Sequence, residues 1–367
     1  MKLRYIVYED FSQERASNWQ IANTTRLLGD LGLEVTLLFP YKFPLSSHYK
    51  INSQVVFLFD RAFSKFDKSN IFKFSLKLFS YFKQQTNQSD NILYFRHVVL
   101  LPAVLFIKTF LPKIKIVYEA HREVNDSFGR WCEEQLISRG TKIIVISEAL
   151  KKIYLDNYKK LLAKNIQVVH DAVDFEKFAI SVSSTHAKQK LGINLERPVV
   201  MYIGSLWLVK GVDLLLKAAK ILPNLDFYLV GKEYDDFIKF KEDYKDLPNV
   251  FIHGAVPHGE VPIWQMAADL LVVPHPQNNL SQSPLKLFEY LASGRPIVAA
   301  RLDNLTEVLP TGSLLFVPGE ATDLANKIRQ FFKERDIYEE QAKNNQNIAR
   351  QYSWENRAQL IKNFINN

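Results

Sequence analysis

The chain has 367 residues, 47% apolar, 13% aromatic and 23% charged, with 13 Gly and 15 Pro, a globular composition that excludes collagen-like, disordered and disulfide-scaffold classes. At roughly 150 residues per domain the length suggests about two domains, each able to bury its own core. The single cysteine, Cys132, excludes an internal disulfide and a cysteine-built zinc site, and the net charge of +8 favours anionic partners: nucleic acid, the phosphates of a nucleotide sugar, or anionic lipid.

The N-terminus, Met1-Lys2-Leu3-Arg4, leads straight into a strand-like stretch without an apolar signal core or a small-residue cleavage site, so a cytoplasmic, non-exported protein is expected. Short β-branched or aromatic runs follow at 3–8, 34–39, 55–59, 92–95, 114–118, 142–146 and 166–169. Apolar on both faces and separated by amphipathic segments, they read as buried parallel strands. Segment 63–85 interleaves Phe63, Phe66, Phe72, Phe74, Phe79 and Phe82 with Lys65, Lys68, Lys73, Lys77 and Lys83. As a helix it carries Lys73, Lys77 and Ser80 on one narrow face opposite a broad apolar arc. That fits either peripheral contact with the inner face of a membrane or a core helix with a solvated stripe. The apolar run 98–111 is broken by Pro102 and Lys108 and is shorter than the ~20 residues of a membrane span.

After a polar stretch at 181–190, a second series of strand-like runs appears at 199–203, 226–230, 250–252, 270–273, 296–299 and 314–317. Two parallel α/β units in tandem are therefore predicted, with a ligand at the carboxyl ends of the strands in a cleft between them.

The strongest local signal is Ser283-Pro284-Leu285-Lys286-Leu287-Phe288-Glu289-Tyr290-Leu291-Ala292-Ser293-Gly294-Arg295-Pro296. It reads as a helix with Ser283 as N-cap, Pro284 in the first position and Gly294 just past the end. The preceding strand puts its N-terminus at the carboxyl edge of the second sheet, where free N–H groups attract an anion. Glu289 is placed to accept two hydrogen bonds from a ribose diol, although spacing alone also fits a surface carboxylate. Strand 199–203 leads into Gly204-Ser205-Leu206-Trp207-Leu208-Val209-Lys210-Gly211-Val212-Asp213 and an apolar-periodic helix at 214–222. A lysine opening a helix opposes the dipole, and a bound phosphate explains Lys210 better than helix stability does. Neither a Walker loop nor a Gly-x-Gly-x-x-Gly motif is present. In the first unit, strand 114–118 ends in Glu119-Ala120-His121-Arg122-Glu123, which brings His121 to the mouth of that sheet. No Asp-x-Asp occurs and the histidines lack metal-site spacing, so neither a metal nor a cofactor is expected; positive charge and helix amides would have to stabilise a leaving group.

These segments, together with 251–258, Val145-Ile146-Ser147-Glu148-Ala149-Leu150-Lys151, Asp171-Ala172-Val173-Asp174 with Phe178, and Tyr352-Ser353-Trp354-Glu355, resemble glycosyltransferase family 4, the group 1 glycosyltransferases. The resemblance implies a GT-B fold: two Rossmann-like parallel-sheet domains facing across a cleft, residues 1–178 on the acceptor side and 179–351 for the donor, with a last helix, 352–367, crossing back to the first. It implies retaining, metal-independent transfer of a hexose-type sugar from a UDP- or GDP-sugar to a hydroxyl acceptor, whether glycan, lipid-linked or small molecule. The catalytic residues would be His121, Lys210 and Glu289. The donor would be held by Gly204, Ser205, Lys210, Val256, Pro257, Ser281, Ser283, Pro284, Leu285, Lys286, Leu287 and Glu289, with Val256 and Pro257 meeting the base through main chain.

Two positions depart from the family pattern. Ser281 stands where a first carboxylate usually touches the sugar, so Ser281 with Asn279 or Gln282 is expected to tune donor choice. Ser205 stands where an arginine is common, and Lys286 is the candidate to replace its charge. The paired-glycine loop near the N-terminus is also absent, and Arg15, Ser17 and Asn18 occupy its place; with Glu119 they are the acceptor-side candidates. A nucleotide-sugar epimerase or a non-catalytic GT-B subunit would use the same donor residues. Dispersed basic residues and the absence of a nucleic-acid-binding signature make a DNA-modifying enzyme the remotest alternative.

Overall fold

The computed structural model describes residues 1–9, 11–12, 16–41, 49–59, 68–84, 90–276 and 285–367. The chain forms two compact units, Met1–Asp171 with Trp354–Asn367, and Ala172–Ser353.

In the first unit seven strands, β1 (Lys2–Ile6), β2 (Glu34–Phe39), β3 (Gln54–Phe57), β4 (Asn91–Phe95), β5 (Lys115–Ala120), β6 (Lys142–Val145) and β7 (Ile166–Val168), make one sheet in the order β3-β2-β1-β4-β5-β6-β7. All pairings are parallel. Helices cover such a sheet on both faces, which is why β4 is buried at every position. The order reverses between β1 and β4, the place where open α/β sheets bind ligands.

Helix Lys68–Lys83 joins this core through Phe74, Leu78 and Phe82, and the edge of Phe79 meets Phe106 and Phe110 of helix Leu101–Phe110. The apolar arc is divided: Phe72 and Leu76 stay exposed beside Lys73 and Lys77. Among the described residues no helix is long and apolar enough to cross a membrane. Ser17 lies in the first turn of helix Ala16–Asp30, and its hydroxyl donates to Glu9 at 2.6 Å.

The C-terminal helix Trp354–Asn366 returns to the first unit and buries Ala358, Ile361, Phe364 and Ile365 there. Its Arg357 is 3% exposed and donates to the carbonyls of Val169 and His170 and to Glu119 Oε1, the last at 2.6 Å. One guanidinium thus ties the ends of β5 and β7 to the end of the chain.

The second unit has six parallel strands, β8 (Val199–Ile203), β9 (Asp226–Val230), β10 (Val250–His253), β11 (Leu270–Val273), β12 (Ile297–Ala300) and β13 (Leu314–Phe316), in the order β10-β9-β8-β11-β12-β13. Its reversal lies between β8 and β11. The unit begins at Ala172, seven residues earlier than the expected start at 179, because Val173 pairs with Ser353 and Phe175 and Phe178 enter the second core. The polar stretch at 181–190 is equally part of it. Ser183 caps helix Ser184–Leu191, and Lys188, 6% exposed, pairs with buried Asp269 at 2.7 Å. Burial alone would raise the Asp269 carboxyl, but hydrogen bonds from Lys188 and the Val199 N–H, with Arg335 nearby, hold it below its ordinary range.

Removing one member of a buried ion pair leaves an uncompensated charge. Arg357→Met should therefore destabilise the first unit by about 3–5 kcal/mol in urea unfolding, whereas exposed Lys343→Met should change little. A loss below about 1 kcal/mol would show that Arg357 does not anchor the C-terminal helix.

Candidate functional site

At the reversal of the second sheet the chain is packed too tightly for side chains. A β-carbon on Gly211, whose φ is +77°, would lie 1.8 Å from the Pro274 carbonyl oxygen. Only glycine lets the loop carrying Lys210 rest on the residue that follows β11. Lys210 ends the 3₁₀ turn Leu208–Lys210 and precedes helix Val212–Ile221 by two residues, so it stands ahead of the helix instead of opening it. A β-carbon on Gly204 would meet Lys286 Nζ at 2.6 Å. The ammonium of Lys286 therefore lies against the turn where Ser205 replaces the arginine expected from the family pattern.

Lys286 lies in the first turn of helix Leu285–Ser293, and two tyrosines fix its position. Tyr290 Oη accepts from the Ile203 N–H at 2.8 Å, which fastens the helix to the end of β8. Lys286 Nζ donates to Tyr202 Oη at 2.5 Å, and Tyr202 Oη donates to the Ser205 carbonyl at 3.0 Å. Among the described residues no carboxylate pairs with Lys286. Burial first, then Lys210, pushes its ammonium well below the usual lysine range, against an opposing pull from Glu289. Burial likewise lowers Lys210.

Immediately after Pro274 stands His275, 2% exposed, with no hydrogen-bond partner on either ring nitrogen among the described residues. Burial, then Lys286 and Lys210, holds it well below the ordinary histidine value, so it is neutral. Arrival of an anion beside these two lysines and this imidazole would relieve each of these penalties.

Glu289, 22% exposed at its side chain, lies on the same helix, with Oε1 3.2 Å from His258 Nε2. Leu287 is fully buried in the core, so only its main chain is available to a ligand; Leu285 is partly buried. Val256 packs half-buried against the core and Pro257 is exposed in the turn closed by the Glu260 N–H to Pro257 carbonyl bond at 2.8 Å. Arg15, Asn279, Ser281, Gln282, Ser283 and Pro284 lie outside the described residues.

In the first unit the strand-end residues are already spoken for. Glu119 is 2% exposed; its Oε1 accepts from His121 Nε2 and Arg357 Nη2, each at 2.6 Å, and its Oε2 accepts from Tyr94 Oη. Against the effect of burial, Arg357 and His121 hold this carboxyl well below the usual carboxylate range. Such a group is buried and orients His121. Asn18 is also fully buried. His121 keeps 19% of its side chain exposed, and burial followed by Arg96 lowers its proton affinity, so its neutral ring donates Nε2–H to Glu119. Glu9 joins this edge, with Oε1 3.1 Å from His97 Nε2.

His275, Tyr202 and Arg357 escaped sequence reasoning. For His275 the signal was present: it stands two residues past β11, as His121 stands one past β5, and the same strand-end rule applied to β11 would have selected it.

Residues 183–350 match the family described as glycosyl transferases group 1. The chain's two parallel sheets have the GT-B architecture. It is 28% identical over 259 residues to D-inositol 3-phosphate glycosyltransferase of Corynebacterium urealyticum, a match covering 66% of this chain and 59% of that protein. It is 26% identical over 212 residues to the sulfoquinovosyl transferase SQD2 of Arabidopsis thaliana, covering 55% of this chain and 40% of that one. The chain thus spans only about half the length of these two relatives. The match to lipopolysaccharide 1,2-N-acetylglucosaminetransferase of Salmonella typhimurium is longer: 23% identity over 326 residues, 84% of this chain and 81% of that protein. Among solved structures, Anabaena Alr3699/HepE in complex with UDP superposes with a TM-score of 0.80 at 17% identity, covering 100% of both chains. Sucrose-phosphate synthase from Thermosynechococcus elongatus gives 0.79 at 16%, covering 100% of this chain and 98% of that one.

The depressed proton affinity of His275 has a stability consequence. Unfolded histidine titrates near 6.5 and the folded ring binds its proton less readily. Its contribution is complete above about pH 6.5 and is lost as pH falls below that value, by at most about 1.4 kcal/mol per pH unit. Urea unfolding at pH 7.5 and 5.5 should show a smaller difference in His275→Asn than in the unaltered protein; equal differences would contradict a neutral buried His275.

Proposed function

We propose that the protein is a retaining, metal-independent glycosyltransferase that moves a hexose-type sugar from a UDP- or GDP-linked donor to a hydroxyl acceptor in the synthesis of a glycan, glycolipid or small-molecule glycoside. The observation that carries this reading is the cationic cluster at the β8–β11 reversal: Lys286 and Lys210 near each other, with no carboxylate on Lys286 and no partner on either ring nitrogen of His275 among the described residues. A diphosphate supplies the missing negative charge. The UDP complex of the structurally similar Anabaena protein and the sugar-transferring relatives support it.

In this reading Lys210, Lys286 and the main chain at the start of helix Leu285–Ser293 take the diphosphate, Glu289 takes the ribose, and main chain at Val256 and Pro257 takes the base. Ser281 reads the sugar. As the anomeric C–O bond breaks, the leaving diphosphate takes the bonding pair, and the two lysines stabilise the charge that a metal would otherwise meet. The acceptor oxygen bonds to the anomeric carbon on the face the diphosphate leaves, and its proton passes to a departing phosphate oxygen. In the first unit His121, neutral and held by Glu119, is the proposed catalytic group toward the sugar. Phe72 and Leu76, exposed beside Lys73 and Lys77, keep a peripheral membrane contact within the proposal.

A charge-assisted hydrogen bond contributes about 1.5–3 kcal/mol. Calorimetric titration with UDP and GDP should show losses of that size for Lys210→Ala and for Glu289→Ala, and sugar transfer should persist in EDTA. Unchanged nucleotide affinity in both variants would overturn the donor site; activity lost in EDTA and restored by magnesium or manganese would overturn the metal-free mechanism.

A further inference from the structure

We infer that Lys177 and His258 form a relay that positions Glu289, and so determine how the site recognises a ribose diol; this rests on the reading of Glu289 as the ribose-binding carboxylate. Lys177 Nζ is 2.5 Å from His258 Nδ1, and His258 Nε2 is 3.2 Å from Glu289 Oε1. An ammonium can only donate, so Nδ1 must be the ring's acceptor. The single ring proton therefore resides on Nε2 and is donated to the carboxylate. A doubly protonated ring is excluded at this separation, because it would set an N–H against an ammonium. The contact between His258 and Glu289 is thus a directed hydrogen bond from a neutral imidazole, with one cation at one end of the line and one anion at the other.

Both outer members are rigidly presented. Lys177 lies in the short helix Phe175–Phe178, capped by the Asp174 side chain, and Phe178, 1% exposed, sets its edge against the His258 ring at 5.5 Å between centroids. The turn starting at Pro257 delivers His258 from the other side. Glu289 rides on a helix locked to β8 by Tyr290. With Oε1 engaged by Nε2–H, rotation of the carboxylate is fixed, and Oε2 with the remaining lone pair of Oε1 is left to accept from two neighbouring hydroxyls. Lys177 and His258 are positioning residues in this account, acting on the ligand only through Glu289.

A relay of this kind affects nucleotides that carry the diol and ignores those that lack it. Calorimetry on the full chain would compare UDP, GDP and the 2′,3′-dideoxy form of whichever binds more tightly. His258→Ala and Lys177→Met should each weaken the ribonucleotide about three- to tenfold and leave the dideoxy nucleotide within about twofold. His258→Gln, whose amide N–H replaces Nε2–H, should restore ribonucleotide affinity. Nitrogen-15 NMR of labelled histidine should show His258 protonated at Nε2 alone, a result that needs no ligand. A proton on Nδ1 or on both nitrogens, or equal weakening of both nucleotides in His258→Ala and Lys177→Met, would overturn the relay. Glu289→Ala separates the two claims. If it leaves the preference for the diol intact, the ribose assignment itself is wrong; if it abolishes the preference while His258→Ala and Lys177→Met do not, only the relay fails.

Discussion

The ammonium of Lys286 stands where β8 ends, bonded to a tyrosine hydroxyl and facing a second lysine, with no carboxylate paired to it among the described residues. An arrangement of this kind costs folding free energy, because desolvating a cation without an ion-pair partner is unfavourable. The surrounding structure is organised to hold it regardless. Gly204 leaves room for Nζ, Tyr202 couples it to the Ser205 turn, Tyr290 clamps its helix to the strand, and Gly211 brings the Lys210 loop down onto Pro274. His275 adds a neutral ring whose nitrogens have no partner among the described residues. Buried cationic groups with shifted proton affinities are what a bound anion would stabilise.

The first unit solves the opposite problem. Its buried charges at the end of β5 are closed among themselves: Glu119 takes Arg357, His121 and Tyr94, and Arg357 also spends donors on the carbonyls of Val169 and His170. This closure gives the last helix a reason to return to the first unit, since without Arg357 the buried carboxylate would lose its guanidinium partner. It also explains how His121 obtains a fixed tautomer. Glu119 serves as an internal support, and the side chain left with some exposure is the histidine.

Much of this architecture is legible in the sequence because strand burial on both faces leaves an unmistakable apolar signature; β8, β9 and β11 begin and end where the apolar runs do. Local chemistry was illegible where polarity and burial part company. The stretch at 181–190 looks like a linker by composition, yet Lys188 is buried because Asp269, eighty-one residues away, neutralises it. Glu119, an acceptor-side candidate by sequence, is likewise buried against a partner far along the chain, Arg357. Pairings over long sequence distances are set by the fold, and only the fold reveals them.

The central claim, that the β8–β11 reversal of the second unit is a nucleoside diphosphate site, is tested most directly by amide chemical shifts in the labelled protein during titration with UDP and GDP. The account predicts that one of them moves the backbone amides of Gly204, Gly211 and Leu285 to Leu287 in a saturable way, while Gly192 and Gly312, which lie in turns elsewhere in the same unit, stay in place. Saturable binding that leaves Gly204, Gly211 and the start of helix Leu285–Ser293 unperturbed, or no binding of either nucleotide, would contradict it.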